Sequence, residues 1–318
     1  MENIGQNSNM DKEEKNENKN ESCELIYNLN PIQEYKEEIM NNLFKMEMEN
    51  RPNYSIFPQI YDKNNNILTY LKRFSYINVM ISYQLELLLH QETLFLSINL
   101  FDRYIQKLIL EKKNTEDLNI IALTCLFIAS KYEEIYPPYL QDYLDLYKNK
   151  YLKRDIFLKE DEILSKLDFQ VLNTSPFLFL KIFCQFDNNY ENKQNQKDND
   201  TNICFYGAQF FLELCLIEPK FCELKPSLQA AICLYLSRKF LLYKKNNNNK
   251  IWSFDLFFKT NYSEIKIKKH IKIALITINN FFKNIYTKNF MAMPLYIKYY
   301  THEYSMVSSQ LKEIILGN

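Results

Sequence analysis

The run ALTCLFIASKY at 122–132 returns without gaps at 230–240 as AAICLYLSRKF, an offset of 108 residues (230 − 122). Ala122/Ala230, Cys125/Cys233, Leu126/Leu234 and Lys131/Lys239 are identical, and Tyr132 answers to Phe240. No charge interrupts the first copy between Asn119 and Lys131. A helix that is apolar all round belongs at the centre of a bundle, wrapped by others. Two copies therefore ask for two bundles, each built round its own axis. A chain of 318 residues, 47% hydrophobic, has the length and apolar content for two such cores. Only three glycines argue against a turn-rich β fold and against a glycine-rich phosphate loop. The expected class is all-α.

Helical spacing and breakers divide the rest. Residues 1–30, rich in Asn, Glu and Lys, read as a disordered tail. A short amphipathic helix with Ile32, Tyr35, Ile39, Leu43 and Met46 follows, within a lead-in at 31–67 that breaks at Arg51-Pro52. The first five-helix unit spans 68–172, with helices expected at 68–89, 92–110, 118–132, 137–147 and 153–167. Its fourth helix is expected to open on Pro137-Pro138, since proline suits a first helical turn. The second unit spans 173–290, with helices at 176–186, 203–217, 225–243, 253–259 and 263–285. Two polar loops interrupt it, at 187–202 and 244–250. Residues 291–318 are left as a C-terminal extension.

Lys plus Arg equals Asp plus Glu at 39 each, so no global field favours nucleic acid or an anionic membrane. A nucleic-acid partner is disfavoured, and KIKKHIK at 266–272 reads as a solvated face. His90, His270 and His302 are scattered, without an HExxH, a nucleophile elbow or a P-loop. Seven cysteines form no CxxC pair and sit mostly in apolar runs, as reduced core thiols do. The expectation is a soluble intracellular protein that is not an enzyme, with no cofactor, metal or membrane partner.

The two copies differ at their ends. Lys131 is followed by Glu133 and Glu134, then Pro137-Pro138; Lys239 is followed by Leu241 and Leu242. A partner site therefore belongs to the first unit. SKYEEIYPP at 130–138, ETLFLSINLFDRYI at 92–105 and the repeated five-helix order resemble the cyclins, the mitotic A/B type in particular. RPNY at 51–54 and EYSMVS at 303–308 extend the likeness from Tyr35 to about Ser308.

The resemblance implies two tandem cyclin boxes behind a short N-terminal helix, and a role as activating subunit of a cyclin-dependent kinase in cell-cycle control. It implies a heterodimer rather than a homo-oligomer, in nucleus and cytoplasm, with a kinase carrying a PSTAIRE-type helix. In the family, a lysine matching Lys131 and a glutamate matching Glu160 bond the kinase backbone beside that helix. Tyr132, Ile163 and Leu164 are the expected apolar neighbours, with Glu134 in the same charged end and Ile39 from the N-terminal helix. Arg73 and Asp102 match positions that pair inside the box and tie its first helix to its second. A second class, the DNA- and protein-bridging cyclin-box proteins of transcription, is the alternative.

The family's first helix begins Met-Arg-Ala-Ile-Leu, with a tryptophan six residues after the arginine; that patch captures Arg-x-Leu motifs. Here the stretch reads Lys72-Arg73-Phe74-Ser75-Tyr76, and Val79 stands at the tryptophan position. Leu118-Asn119 stands where Leu-Gln is typical. The expectation is a degraded substrate groove at Lys72, Tyr76, Val79 and Leu118. Ahead of Arg51 there is no Lys-Glu-Asn box or Arg-x-x-Leu element, so the usual proteolytic timing is not expected.

Overall fold

The computed structural model describes residues 35–55, 70–111, 117–185, 198–241, 251–287 and 294–317. The expected tail at 1–30, most of the polar insert and the loop at 244–250 lie outside the described residues. The chain forms two compact units, Met1–Met46 and Glu47–Asn318. The first contains α1 (Lys36–Met46), with Glu37 and Glu38 in its first turn and Lys45 in its last, as the helix dipole favours.

The second unit begins with five helices: α2 (Tyr70–Glu86), α3 (Gln91–Leu110), α4 (Leu118–Glu133), α5 (Leu140–Leu146) and α6 (Lys153–Lys166). The apolar run becomes α4, and every residue from Ile121 to Ser130 is buried. Asp117 starts it by accepting the Asn119 amide at 3.0 Å. α4 packs most heavily on α3 and also on α6 and α2. Phe127 meets Tyr143 of α5 edge-on at 5.3 Å, and the Tyr143 hydroxyl donates to Ser130 Oγ at 2.6 Å. Pro137 and Pro138 do not open α5. They stay in the lead-in, and the helix starts after Tyr139, whose amide donates to Asp142 at 2.8 Å. Two consecutive prolines hold the chain extended, and a carboxylate three residues on then supplies the start signal.

Six more helices follow among the described residues: α7 (Pro176–Gln185), α8 (Asp198–Cys215), α9 (Pro219–Cys222), α10 (Pro226–Leu241), α11 (Phe254–Thr260) and α12 (Glu264–Thr287). α8 begins at Asp198, inside the segment expected to be loop, and α9 was not expected. α4 and α10 are both 16 residues long, and their starts, 118 and 226, differ by the same 108 as the sequence repeat. α10 packs on α8, α7 and α12 as the axis of the second bundle. Gly207 permits its contact with α8, because a Cβ there would collide with Ser237 and Leu241 side chains.

The C-terminal extension is structured, with α13 (Pro294–Lys298), a 3₁₀ turn at His302–Tyr304 and α14 (Val307–Leu316). α14 packs on α8, α10 and α12, whereas α13 reaches back to α2 of the first bundle. Lys298, at the end of α13, is fully buried. It donates to Gln84 at 2.9 Å, to Gln91 at 2.8 Å, and to both Glu213 oxygens at 2.9 and 3.0 Å. Arg51 of the lead-in donates to the carbonyls of Cys222 and Leu224, each at 2.8 Å. The buried Glu47 accepts the Ser227 amide at 3.1 Å. Lys298 thus fastens the two bundles to each other, and Arg51 and Glu47 fasten the lead-in to the second. No helix among the described residues is long and apolar enough to cross a membrane.

Candidate functional site

Lys131 sits in the last turn of α4 and Glu160 in the middle of α6, so the packing of those two helices decides whether they meet. They do: Lys131 Nζ donates to Glu160 Oε1 and lies 4.3 Å from the centre of the Phe127 ring. The pair is open to solvent on one side, Lys131 being 40% exposed and Glu160 14%. The same two helices and the connection after α4 carry large apolar side chains that the fold leaves outside. Tyr132, Ile135, Tyr136 and Tyr139 are exposed on the α4–α5 connection, and Leu152, Phe157 and Leu158 on and before α6. A donor and an acceptor on helices that also carry uncovered aromatic and aliphatic groups are what a peptide backbone needs in order to dock.

Two expected members of this edge belong elsewhere. Ile163 is fully buried, because α6 turns Ile156, Ile163 and Leu167 inward along one stripe; Leu164, one residue on, remains partly exposed. Glu134 also turns inward. It accepts the His90 amide at 2.7 Å, the Thr93 hydroxyl at 2.5 Å and His90 Nδ1 at 2.7 Å, pinning the end of α4 to the start of α3. Burial pushes its carboxyl up, but those hydrogen bonds more than offset it and hold Glu134 below the usual range. Glu133, beside Glu92 and largely out of water, is pushed the other way. Ile39 lies on α1, in the other unit.

Arg73 and Asp102 form a buried fork, Nε to Oδ1 at 2.8 Å and Nη2 to Oδ2 at 2.7 Å. The remaining Arg73 nitrogen donates to the Leu216 carbonyl at 2.6 Å and that of Ile217 at 3.3 Å, at the end of α8. Tyr54 donates its hydroxyl to Asp102 at 3.1 Å. Burial alone would lower the guanidinium pKa; the Asp102 carboxylate reverses this and raises it, so Arg73 stays charged. The pair therefore joins four segments from both bundles, not only α2 to α3.

At the expected groove, Tyr76 packs against Phe101 with ring centres 5.8 Å apart, and Val79 and Leu118 are partly buried. The Lys72 side chain lies outside the described residues. Beside Leu118 is a cluster the sequence did not reveal. Asp117 accepts from the Tyr151 hydroxyl at 2.7 Å and from Lys150 at 3.0 Å. Partial burial would raise its carboxyl, yet these bonds and the Asn119 amide hold it down to about 2. Tyr83, Tyr147 and Tyr151 follow in an edge-to-face chain with centres 5.3 and 5.5 Å apart. The four-residue spacing of Tyr147 and Tyr151 was the only hint in the sequence. A fluorescent Arg-x-Leu peptide titrated with the chain should show no saturable polarisation change at micromolar concentration; a micromolar Kd would show that the groove still works.

The family model for "Cyclin, N-terminal domain" matches residues 38–172, and that for "Cyclin, C-terminal domain" matches 174–313. The chain is 28% identical over 286 residues to the meiosis-specific cyclin rem1 of Schizosaccharomyces pombe, covering 90% of this chain and 63% of that protein. It is 29% identical over 252 residues to the G2/mitotic-specific cyclin-4 of Saccharomyces cerevisiae, covering 78% and 48%. Against the G2/mitotic-specific cyclin cdc13 of Schizosaccharomyces pombe it is 27% identical over 273 residues, covering 84% and 52%. The chain thus spans about half to just under two thirds of the length of these curated relatives. Its fold is similar to the X-ray structure of a viral cyclin from herpesvirus saimiri, with a TM-score of 0.57 and 17% identity over 75% of this chain and 96% of that one. With two family models covering nearly all of both bundles, the chain belongs to the cyclin family and its bundles are tandem cyclin boxes.

Proposed function

We propose that this chain is the regulatory subunit of a cyclin-dependent protein kinase, docking through the edge of its first box and serving the cell cycle. The observation that carries this is the Lys131–Glu160 pair, held between α4 and α6 amid uncovered apolar side chains. The cell-cycle cyclins to which the chain is similar support a regulatory rather than a catalytic role.

Magnitudes favour an exchange on docking. A half-exposed pair such as Lys131–Glu160 is worth about 0–1 kcal/mol, so parting it costs little. A hydrogen bond from either charge to a partner's backbone in a dehydrated interface is worth about 1.5–3 kcal/mol. Lys131 donates to a kinase carbonyl and Glu160 accepts from a kinase amide, while Tyr132, Tyr136, Phe157 and Leu158 supply burial. No bond is made or broken in this chain. Docking stabilises the kinase helix position that completes its Lys–Glu pair and orders its activation loop. The leverage is the differential affinity for that state, and a shift from 1:99 to 99:1 takes about 10⁴-fold.

The test is affinity capture of a kinase by the wild-type chain and by the double variant Lys131→Ala/Glu160→Ala. Two lost charge-assisted bonds predict at least about 100-fold weaker recovery. Melting of the variant should stay near wild type, since a half-exposed pair contributes little. If the wild type recovers no kinase, or the double variant recovers as much, the reading fails.

A further inference from the structure

The second box leaves apolar surface uncovered on α11, the helix that follows its axis. α11 buries Leu256 and Thr260 and turns Phe254, Phe257 and Phe258 outward, 73%, 43% and 68% exposed. The three rings lean on one another: Phe254 is 6.3 Å from Phe258 at 22° and 6.2 Å from Phe257. Ser253 caps the start of α11 by accepting the Leu256 amide at 3.2 Å, and Asn261 closes its end in a left-handed conformation at φ 57°. Behind it, buried Trp252 donates to the Tyr262 carbonyl at 2.8 Å, and the Tyr262 hydroxyl bonds Ser227 at 2.7 Å.

The helix reached through that corner is cationic. α12 opens with one acid, Glu264, which pairs with Lys268 at 2.8 Å. Lys266 lies 4.6 Å from the Tyr262 ring centre, at the corner itself. Ile265, Lys269, Lys272 and Ile276 are exposed and fall on one face by helical spacing. The first-box edge carries a donor and an acceptor; this surface offers rings and an excess of lysines over its two acids, Asp255 and Glu264. Its complement is an acidic segment.

We propose that α11 and the first turns of α12 form a second docking surface, for a partner-protein segment that carries acidic side chains among apolar ones. The apolar groups of that segment cover Phe254, Phe257 and Phe258, and its carboxylates meet Lys266, Lys269 and Lys272. The surface lies on the second box and works whether or not the first box holds a kinase.

The probe is a fluorescein-labelled amphipathic peptide with Leu at helical i, i+3, i+4 and i+7 positions and Glu elsewhere. Its twin has Lys for every Glu. Titration with the full chain should give saturable binding of the acidic peptide, weakened by salt, and none of the basic one. Phe254→Ser/Phe258→Ser and, separately, Lys269→Glu/Lys272→Glu should each weaken binding at least about tenfold, as truncating anchor residues does. Both variants alter exposed side chains, and the charge reversal leaves the apolar packing intact, so a fault in folding cannot mimic both losses. Lys131→Ala/Glu160→Ala should bind the peptide as the wild type does. Equal binding of the two peptides, or undiminished binding by either surface variant, overturns the proposal. So does a preference for phosphatidylserine vesicles or a single-stranded oligonucleotide over the acidic peptide. A concentration-dependent dimer abolished by Phe254→Ser/Phe258→Ser would overturn it in favour of self-association.

Discussion

Arg73→Ala should lower the unfolding free energy by about 3–5 kcal/mol, the usual cost of stranding a buried charge. Asp102 is fully buried and would keep only the Tyr54 hydroxyl as a partner. The carbonyls of Leu216 and Ile217 lose the guanidinium as well, Leu216 keeping only the weak Cys222 thiol donor at 3.5 Å, and a buried acceptor left unsatisfied costs about 1–3 kcal/mol. Against a total stability of about 5–15 kcal/mol this is a large fraction, enough to make the variant marginal at physiological temperature. Because Arg73 reaches the second box, both boxes should lose stability together rather than the first alone. Arg73→Lys keeps the charge but not the fork, and should fall between. Urea denaturation followed by circular dichroism measures the effect. A midpoint unchanged from wild type would mean that the fork holds nothing together.

The second large effect is expected at Lys298. Its ammonium is the sole cation reaching Glu213 among the described residues, and both are fully buried. Lys298→Ala leaves the Glu213 carboxylate with the Tyr299 hydroxyl and no counter-charge, and frees α13 from Gln84 and Gln91 of the first box. The loss should again be about 3–5 kcal/mol. The informative comparison is Lys298→Met/Glu213→Leu, which removes both charges and refills the space. An apolar replacement of a buried pair is often neutral, so the double variant should recover most of the lost stability. Tyr299, whose phenol is pushed up first by burial and then by Glu213, should titrate lower in that double variant. If Lys298→Ala costs less than about 1 kcal/mol, as a surface pair would, its role as a fastener is wrong.

Most of the architecture was legible before any coordinates. The helix axes at 118 and 226 could be read because an uncharged apolar run of that length admits one environment, and repetition doubled the signal. α3, α6, α7 and α12 begin within two residues of where spacing and breakers put them. Local errors had local causes: Pro137-Pro138 carry a helix-start signal, but the start capped by Asp142 falls at Leu140, two residues after Pro138. At the site, Lys131 stood out as a charge ending an apolar helix. Ile163 and Glu134 turn inward because facing depends on helix rotation and on what the neighbouring helix end demands.

The amino-acid order alone determined the helical class, the two axes and the family motif, because periodicity and breakers act within a few residues. It could not determine what a polar side chain meets from a hundred residues away. Lys298 in PLYIKYY looks like any solvated lysine until α13 carries it between Glu213 and two glutamines of the first box. Glu134 looks like a surface acid until α3 begins beneath it. Lys131 and Glu160 become a pair only because α4 and α6 pack together, leaving Phe157 and Leu158 outside. Burial and hydrogen-bond demand are properties of the packed chain, and they alone decided which charges are fasteners and which remain to bind.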